Sequence, residues 1–327
     1  MELFNPHSKI DFLGWRKISV AISIILMLVA IGLVATRGLN YALDFTGGVL
    51  VEAQYAESVE IDQVRAALEA GGFHNAQVQS LGGTRDVSIR LQPQAVEGET
   101  DGSDAEGGDA GKGNADRVSG EVLAALKVSR SDVVLKRHDF VGSSVGDELK
   151  RDGIIAAVFV MIGIMIYIGI RFEKRFAIAA IASELHDAIL TVGFFAATHM
   201  EFDLTVLASL LAVIGYSIND KVVVFDRVRE LFRLARKAEP YEILNRSINQ
   251  TLSRTIMTSL TTALAMFALY FYGGPAVHGF ALTMLVGIVI GTLSSIFFAN
   301  PILYWLGVSK TDLMPVTRDD PELARRP

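Results

Sequence analysis

Leu204–Arg229, LTVLASLLAVIGYSINDKVVVFDRVR, decides how the rest of the chain is read. It opens as an apolar run long enough to enter a bilayer, and about 20 apolar residues suffice to cross one. Still inside the run it carries Tyr216, Ser217, Asn219, Asp220 and Lys221. An ionisable group at that depth costs roughly 2.5–3.5 kcal/mol on insertion scales and normally faces a bundle interior or a water-filled path. Asp220 is therefore the expected functional centre, on one helix of a membrane bundle.

Working outward, five more apolar runs appear, at Ile18–Thr36, Ile154–Ile170, Phe176–Thr198, Thr255–Tyr272 and Phe280–Leu306. Six spans account for a chain that is 51% hydrophobic, with mean hydropathy +0.38 over 327 residues. The first run is long for a signal peptide and lacks a small-x-small site directly after it, so it reads as a retained anchor. Pro301 is expected to bend or end the last helix.

Between the first two spans lies a soluble domain, residues 37–152, with 12 basic and 20 acidic residues. Strand patterns at Val49–Tyr55, Ala76–Leu81, Asp86–Leu91 and Asp132–Val141 alternate with helices at Val59–Ala70 and Asp116–Lys127. The order β-α-β-β-α-β predicts a ferredoxin-like α+β domain, with Gly82-Gly83 turning a hairpin. Gln94–Asp116 holds seven acidic residues, six glycines and one large apolar residue, Val96, and is expected to be a disordered acidic insert. EF-hand spacing is missing from it.

The net charge is −6, and no basic patch suited to nucleic acid exists. There is no cysteine, no metal-ligand spacing, no phosphate loop and no nucleophile–base arrangement, so no hydrolytic site is expected and no cofactor. Basic residues concentrate in one set of loops, at Arg171–Arg175, 226–254 and 307–327. The opposite short loops, His199–Asp203 and Gly273–Gly279, have none. The positive-inside rule then puts both termini in the cytoplasm and the acidic domain outside, the periplasm in a bacterium. Residues 1–36 are a cytoplasmic N-terminus plus first span, 153–306 hold spans two to six with a cytoplasmic loop 226–254, and 307–327 form a cytoplasmic tail. Val228, Leu231, Phe232 and Ala235 recur at helical spacing in that loop, read first as a membrane-surface face and second as a partner-docking face.

Polar residues gather on three consecutive spans: Glu184, His186 and Asp187; Asp220 and Lys221; Arg254, Thr258, Thr261 and Thr262. Lys221 follows Asp220 directly, so the two point about 100° apart and do not pair well; Lys221 is expected to snorkel outward. Arg254 is the expected charge partner of Asp220. A carboxylate whose arginine approaches and withdraws can take up and release a proton, which couples protonation to helix movement. The plainer alternative is a static salt bridge. Gly287 and Gly291 form a GxxxG expected to serve packing within the bundle.

Asp44-Phe45-Thr46-Gly47-Gly48, Val141–Gly146, His186-Asp187, GYSINDKVVVFDRVR from Gly215 through Asp226 and Arg227 to Arg229, Ser253–Thr255 and GIVIGTLSS at Gly287–Ser295 together resemble the SecF branch of the SecD/SecF family of bacterial protein-export membrane proteins, within the RND superfamily. The resemblance implies six RND-type transmembrane helices and one periplasmic domain. It implies pairing with SecD, association with the SecYEG channel, further partners SecA, YajC and YidC, and an unfolded preprotein as client, all at the inner membrane. It implies use of the proton-motive force for late export, with sodium left open as coupling ion, and a proton path through the positions of Asp220 and Arg254; Asp187, His186, Asn219, Ser217 and Tyr216 are read as further candidates for that path, with interhelical hydrogen bonding the alternative for His186 and Asp187. An RND-type solute or drug efflux half, or a passive scaffold of the channel, are the alternatives. Lys221 stands where the family pattern leads one to expect a small hydroxyl residue.

Overall fold

The structure is a computed structural model that describes residues 9–74, 76–80, 84–91, 109–235 and 239–309. Among the described residues, six helices are long and apolar enough to cross a membrane. They are α1 (Arg16–Arg37, after a 3-10 turn at Leu13–Trp15), α5 (Ser143–Arg171), α6 (Lys174–Thr198), α7 (Leu204–Leu234), α8 (Pro240–Tyr272) and α9 (Pro275–Ser294), the last continued through a π-helical turn at Ser295–Ala299 into α10 (Asn300–Trp305). Isoleucines and leucines of α1 and α5 stand open along their outer faces, as lipid-facing helices require.

The connection between α7 and α8 is shorter than the sequence suggests. Both helices run past the apolar segments, and the expected loop 226–254 is mostly their continuation; residues 236–238 lie outside the description. Val228, Leu231 and Phe232 are buried with Phe172, Phe176, Phe225, Leu244 and Ile248 in one core cluster. Their apolar stripe therefore lies on the chain's own bundle rather than on a membrane surface, because α8 folds back antiparallel against it.

Pro301 does not end the last helix. It sits in the first turn of α10, where a missing N–H costs nothing within that helix. The π turn just before it widens the backbone, and Asn300 donates to the Ser295 carbonyl at 2.7 Å. The carbonyl of Phe297, four residues before the proline, accepts from Ser19 of α1 at 2.9 Å.

The α+β domain is built from β2 (Gly48–Tyr55), α3 (Ile61–Ala70), β3 (Gln77–Ser80), β4 (Asp86–Leu91), α4 (Asp109–Ser129) and β5 (Val133–Val141). The antiparallel sheet has the order β3-β4-β2-β5, the ferredoxin-like arrangement. Val49, Val51, Ala53 and Tyr55 alternate inward from β2 to meet Val64 and Leu68 of α3 and Val118, Val122 and Leu126 of α4. The expected disorder of 94–116 is corrected in part: residues 109–116 are helical, while 94–108 lie outside the description, as does the Gly82-Gly83 hairpin. Once Val118, Val122 and Leu126 dock, each added residue gains a backbone hydrogen bond, which outweighs the weak propensity of Gly111 and Gly113. Asp116 is further held by His138 at 2.8 Å.

Asp44 and its neighbours fasten this domain to the bundle. β1 (Asn40–Tyr41) pairs in parallel with β6 (Glu201–Phe202) in the α6–α7 loop. Arg90 of β4 bridges both, to Glu201 at 2.5 Å and to the Tyr41 carbonyl at 3.0 Å.

Candidate functional site

α6, α7 and α9 meet at a buried polar cluster. Glu184 and Asp187 share one face of α6, three residues apart, and Ser217 and Lys221 share one face of α7, four apart, so each helix offers two polar groups at one level. Lys221 has no exposed surface. Its Nζ donates to Glu184 Oε2 at 2.7 Å, Asp187 Oδ2 at 2.8 Å and Ser217 Oγ at 3.0 Å. Asp187 Oδ2 also accepts from Ser217 at 2.5 Å and from Ser294 of α9 at 2.7 Å. Its Oδ1 meets His186 Nδ1 at 2.9 Å, and the imidazole stacks on Phe298 at 4.2 Å between ring centroids.

Lys221 thus corrects the snorkelling expectation. Its stem runs inward, because two carboxylates on α6 give the ammonium better partners than the distant headgroup region. The small residues of α9 make room for this. A Cβ on Gly291 would lie 2.6 Å from Ser217 Oγ, so α9 can approach α7 only with glycine there. Gly287 likewise faces Val213, which places the GxxxG inside the bundle.

Asp220 is buried, 3% exposed, and turned away from the cluster. Its Oδ2 makes no hydrogen bond to the protein, nor do the Tyr216 hydroxyl one turn earlier and Thr255 Oγ1 on α8. The expected Asp220–Arg254 salt bridge is not formed in this conformation: no ion pair joins them among the described residues. Arg254 instead stands open at a cavity of about 650 Å³ that it shares with Asn219, Asp226, Arg227 and Gln250. Gly215 and Asn219 lie on the same outer face of α7, one turn apart, both exposed.

Asp226 and Arg227 anchor α7 about two turns before its end at Leu234. Arg171 at the end of α5 contacts both oxygens of Asp226, at 2.6 and 2.9 Å, and Arg227 donates to Gln250 of α8 at 2.8 Å. Asp44 does the equivalent work at the near end. In the short helix α2 (Leu43–Thr46), its Oδ2 accepts from the Leu204 amide at 3.0 Å, and Asp203 caps Val206 at 2.6 Å, so two carboxylates satisfy the first turn of α7. Phe45 packs with Phe195, Phe202, Val206 and Leu210. Thr46 hydroxyl bonds stay within the turn, to the carbonyls of Ala42 and Gly47. Gly47 has φ 67° and Gly48 φ 119°, values that favour glycine. A Cβ on Gly146 of α5 would come within 2.9 Å of the Gly47 nitrogen.

Two family models match this chain: the SecD/SecF GG motif over residues 32–59, and the C-terminal region of protein export membrane protein SecD/SecF over 121–309. The chain belongs to the SecD/SecF family. It is 41% identical to protein translocase subunit SecF of Vibrio alginolyticus, covering 96% of this chain and 95% of that one. It is 42% identical to the SecF of Pseudomonas aeruginosa, covering 95% and 96%. Among solved structures it is similar to SecDF, a translocon-associated membrane protein from Thermus thermophilus, with TM-score 0.79 and 34% identity over 93% of this chain. A SecDF structure in a super-membrane-facing form gives TM-score 0.65. The chain spans 39% of the solved SecDF chain. The residues matched by the GG motif include Asp44, which caps α7, and Gly47, against which α5 is seated.

Two members of this buried cluster carried little weight in the sequence, Glu184 and Ser294. The signal was present: Glu184 and Asp187 at i,i+3 face the same way as Ser217 and Lys221 at i,i+4 on the next span. What sequence lacked was the register between α6 and α7.

Proposed function

We propose that this chain is the SecF-type half of a Sec translocase accessory unit, pairing with SecD to promote preprotein translocation across the bacterial inner membrane with the proton-motive force. Relatives of this name and near-complete coverage support the translocase assignment, and the SecDF structure, whose chain is more than twice as long, supports SecD as the other half. Association with SecYEG, SecA, YajC and YidC follows from the same reading. The termini lie in the cytoplasm and the α+β domain in the periplasm, on the evidence of the basic loops.

The observation that carries proton coupling is Asp220: a buried carboxylate with a free oxygen, one helix away from an unpaired arginine that fronts an open cavity. A structural salt bridge would be closed. An open carboxylate–arginine pair leaves the carboxylate a proton site and the arginine able to approach. Gly215, Asn219 and Arg254, exposed on one side of the single chain, are polar or small as a face against SecD would be.

The test is Asp220→Asn in cells that depend on this chain. Gradient-stimulated release of a preprotein into the periplasm is expected to fall at least tenfold, while the complex with SecD still assembles. Full gradient-stimulated release by the variant would refute the coupling.

A further inference from the structure

Lys221 occupies a socket made wholly of oxygen. Glu184 Oε2, Asp187 Oδ2 and Ser217 Oγ surround its Nζ at 2.7, 2.8 and 3.0 Å. An ammonium carries three N–H groups, and all three are used. The socket is closed: Lys221, Glu184 and Asp187 are each 1% exposed or less. It is also held from three helices, since Ser294 of α9 donates to the same Asp187 oxygen.

The socket has more acceptor capacity than the lysine consumes. Two carboxylates face one ammonium, and Glu184 Oε1, fully buried, has no partner. The other titratable groups nearby are His186, on the far oxygen of Asp187, and Asp220 and Arg254 beyond the turn of α7. Buried carboxylates require a cation, because an uncompensated charge out of water is costly. Carboxylate and hydroxyl oxygens are the ligand chemistry of hard cations generally. A free alkali ion would meet that demand with the same ligands, and the lysine stem already fills the space.

We infer that Lys221 is a tethered counter-cation: it fills a carboxylate–hydroxyl site that otherwise suits a free sodium ion, and so makes the bundle interior independent of sodium. The inference rests on the proposed proton-driven function and specifies its ion selectivity. A cation bound covalently to α7 cannot exchange with the medium, so protons are left as the mobile charge near Asp220.

The test uses the full chain co-purified with SecD. Lys221→Met keeps an unbranched apolar stem that ends one atom short of the Nζ position, and removes the charge. Its thermal midpoint is expected to rise by about 3 °C or more when 100 mM choline chloride is replaced by 100 mM sodium chloride, a shift of the size that saturable binding of one ion gives. The unsubstituted complex should show no such difference. The double variant K221M/E184Q removes one charge of each sign and is expected to fold with no sodium response. Sodium stabilisation of the unsubstituted complex overturns the inference. So does a Lys221→Met variant that ignores sodium, or one that fails to accumulate in either salt while K221M/E184Q accumulates. A separate arm measures export by the unsubstituted chain in sodium-free medium. Loss of gradient-driven release there overturns the proton-driven function itself, whatever the Lys221→Met result.

Discussion

At the residue scale, a side chain's role here follows from which charges it can reach after desolvation. Removing one partner from a buried ion pair costs about 3–5 kcal/mol, because the other charge is stranded. That penalty applies to Lys221 with Glu184 and Asp187, and makes their helices a fixed unit. The contrast is Arg130 and Asp132 just before β5, a half-buried surface pair, bidentate at 2.6 and 2.9 Å. The Arg130 hydrogen bond holds the Asp132 carboxyl below its ordinary value. The folded form therefore binds this proton less readily than the unfolded chain. The resulting stability is full above the unfolded value of about 3.9 and is lost as pH falls through the lower folded value. Asp132→Asn is expected to lower the thermal midpoint at pH 7 by a small amount, as surface pairs contribute little. The gap from the unsubstituted chain should narrow in thermal scans as pH falls below the unfolded value of about 3.9; a gap that is constant with pH would show the pair to be idle.

At the scale of elements, α7 is specified from both ends and along one side. Asp44 and Asp203 satisfy its first turn, Arg171 and Arg227 anchor it about two turns before its end, and glycines of α9 let Ser217 and Lys221 reach their partners. Gly291→Leu forces a side chain into Ser217. Overpacking typically costs about 1–3 kcal/mol, and here it also spreads the ion cluster. Membrane accumulation of the variant is expected to drop several-fold, measured against Gly163→Ala, which meets nothing within 4 Å and should accumulate normally. Equal accumulation of the two would show that α7 and α9 need not touch. The amphipathic stripe at Val228, Leu231 and Phe232 was visible in sequence as a face, yet not what covers it. Periodicity reports that one side of a helix is apolar; it does not distinguish lipid headgroups from a neighbouring helix.

At the scale of the whole molecule, the contacts sort the span ends into two sets. β1 beside β6 places the α+β domain next to the α6–α7 loop. The amides of Ile10 and Phe12, bound to Asn249 and Asn245, place the N-terminal segment beside the start of α8. The absence of cysteine makes the orientation testable by single substitutions. Val134→Cys, on an exposed position of β5, should react with a membrane-impermeant maleimide in cells with a permeabilised outer membrane. Leu234→Cys, at the exposed end of α7, should react only after the inner membrane is opened. The reverse pattern would invert the topology.

Composition and spacing alone determined six spans, the β-α-β-β-α-β order, and the presence of ionisable groups at membrane depth, because hydropathy and short-range periodicity are local properties of the chain. Only the tertiary structure decided which charges meet. Lys221 looked like a residue bound for the interface, since its own helix offers it a hydroxyl, Ser217, but no well-placed carboxylate; the register of α6 against α7 supplied two. Asp220 looked paired with Arg254, since both enter from one side; the folded arrangement leaves Asp220 Oδ2 without a bond and Arg254 facing a cavity. Ion pairing depends on distances of a few ångströms between helices that are far apart in sequence, and those distances are set by how side chains pack, not by the order in which they occur.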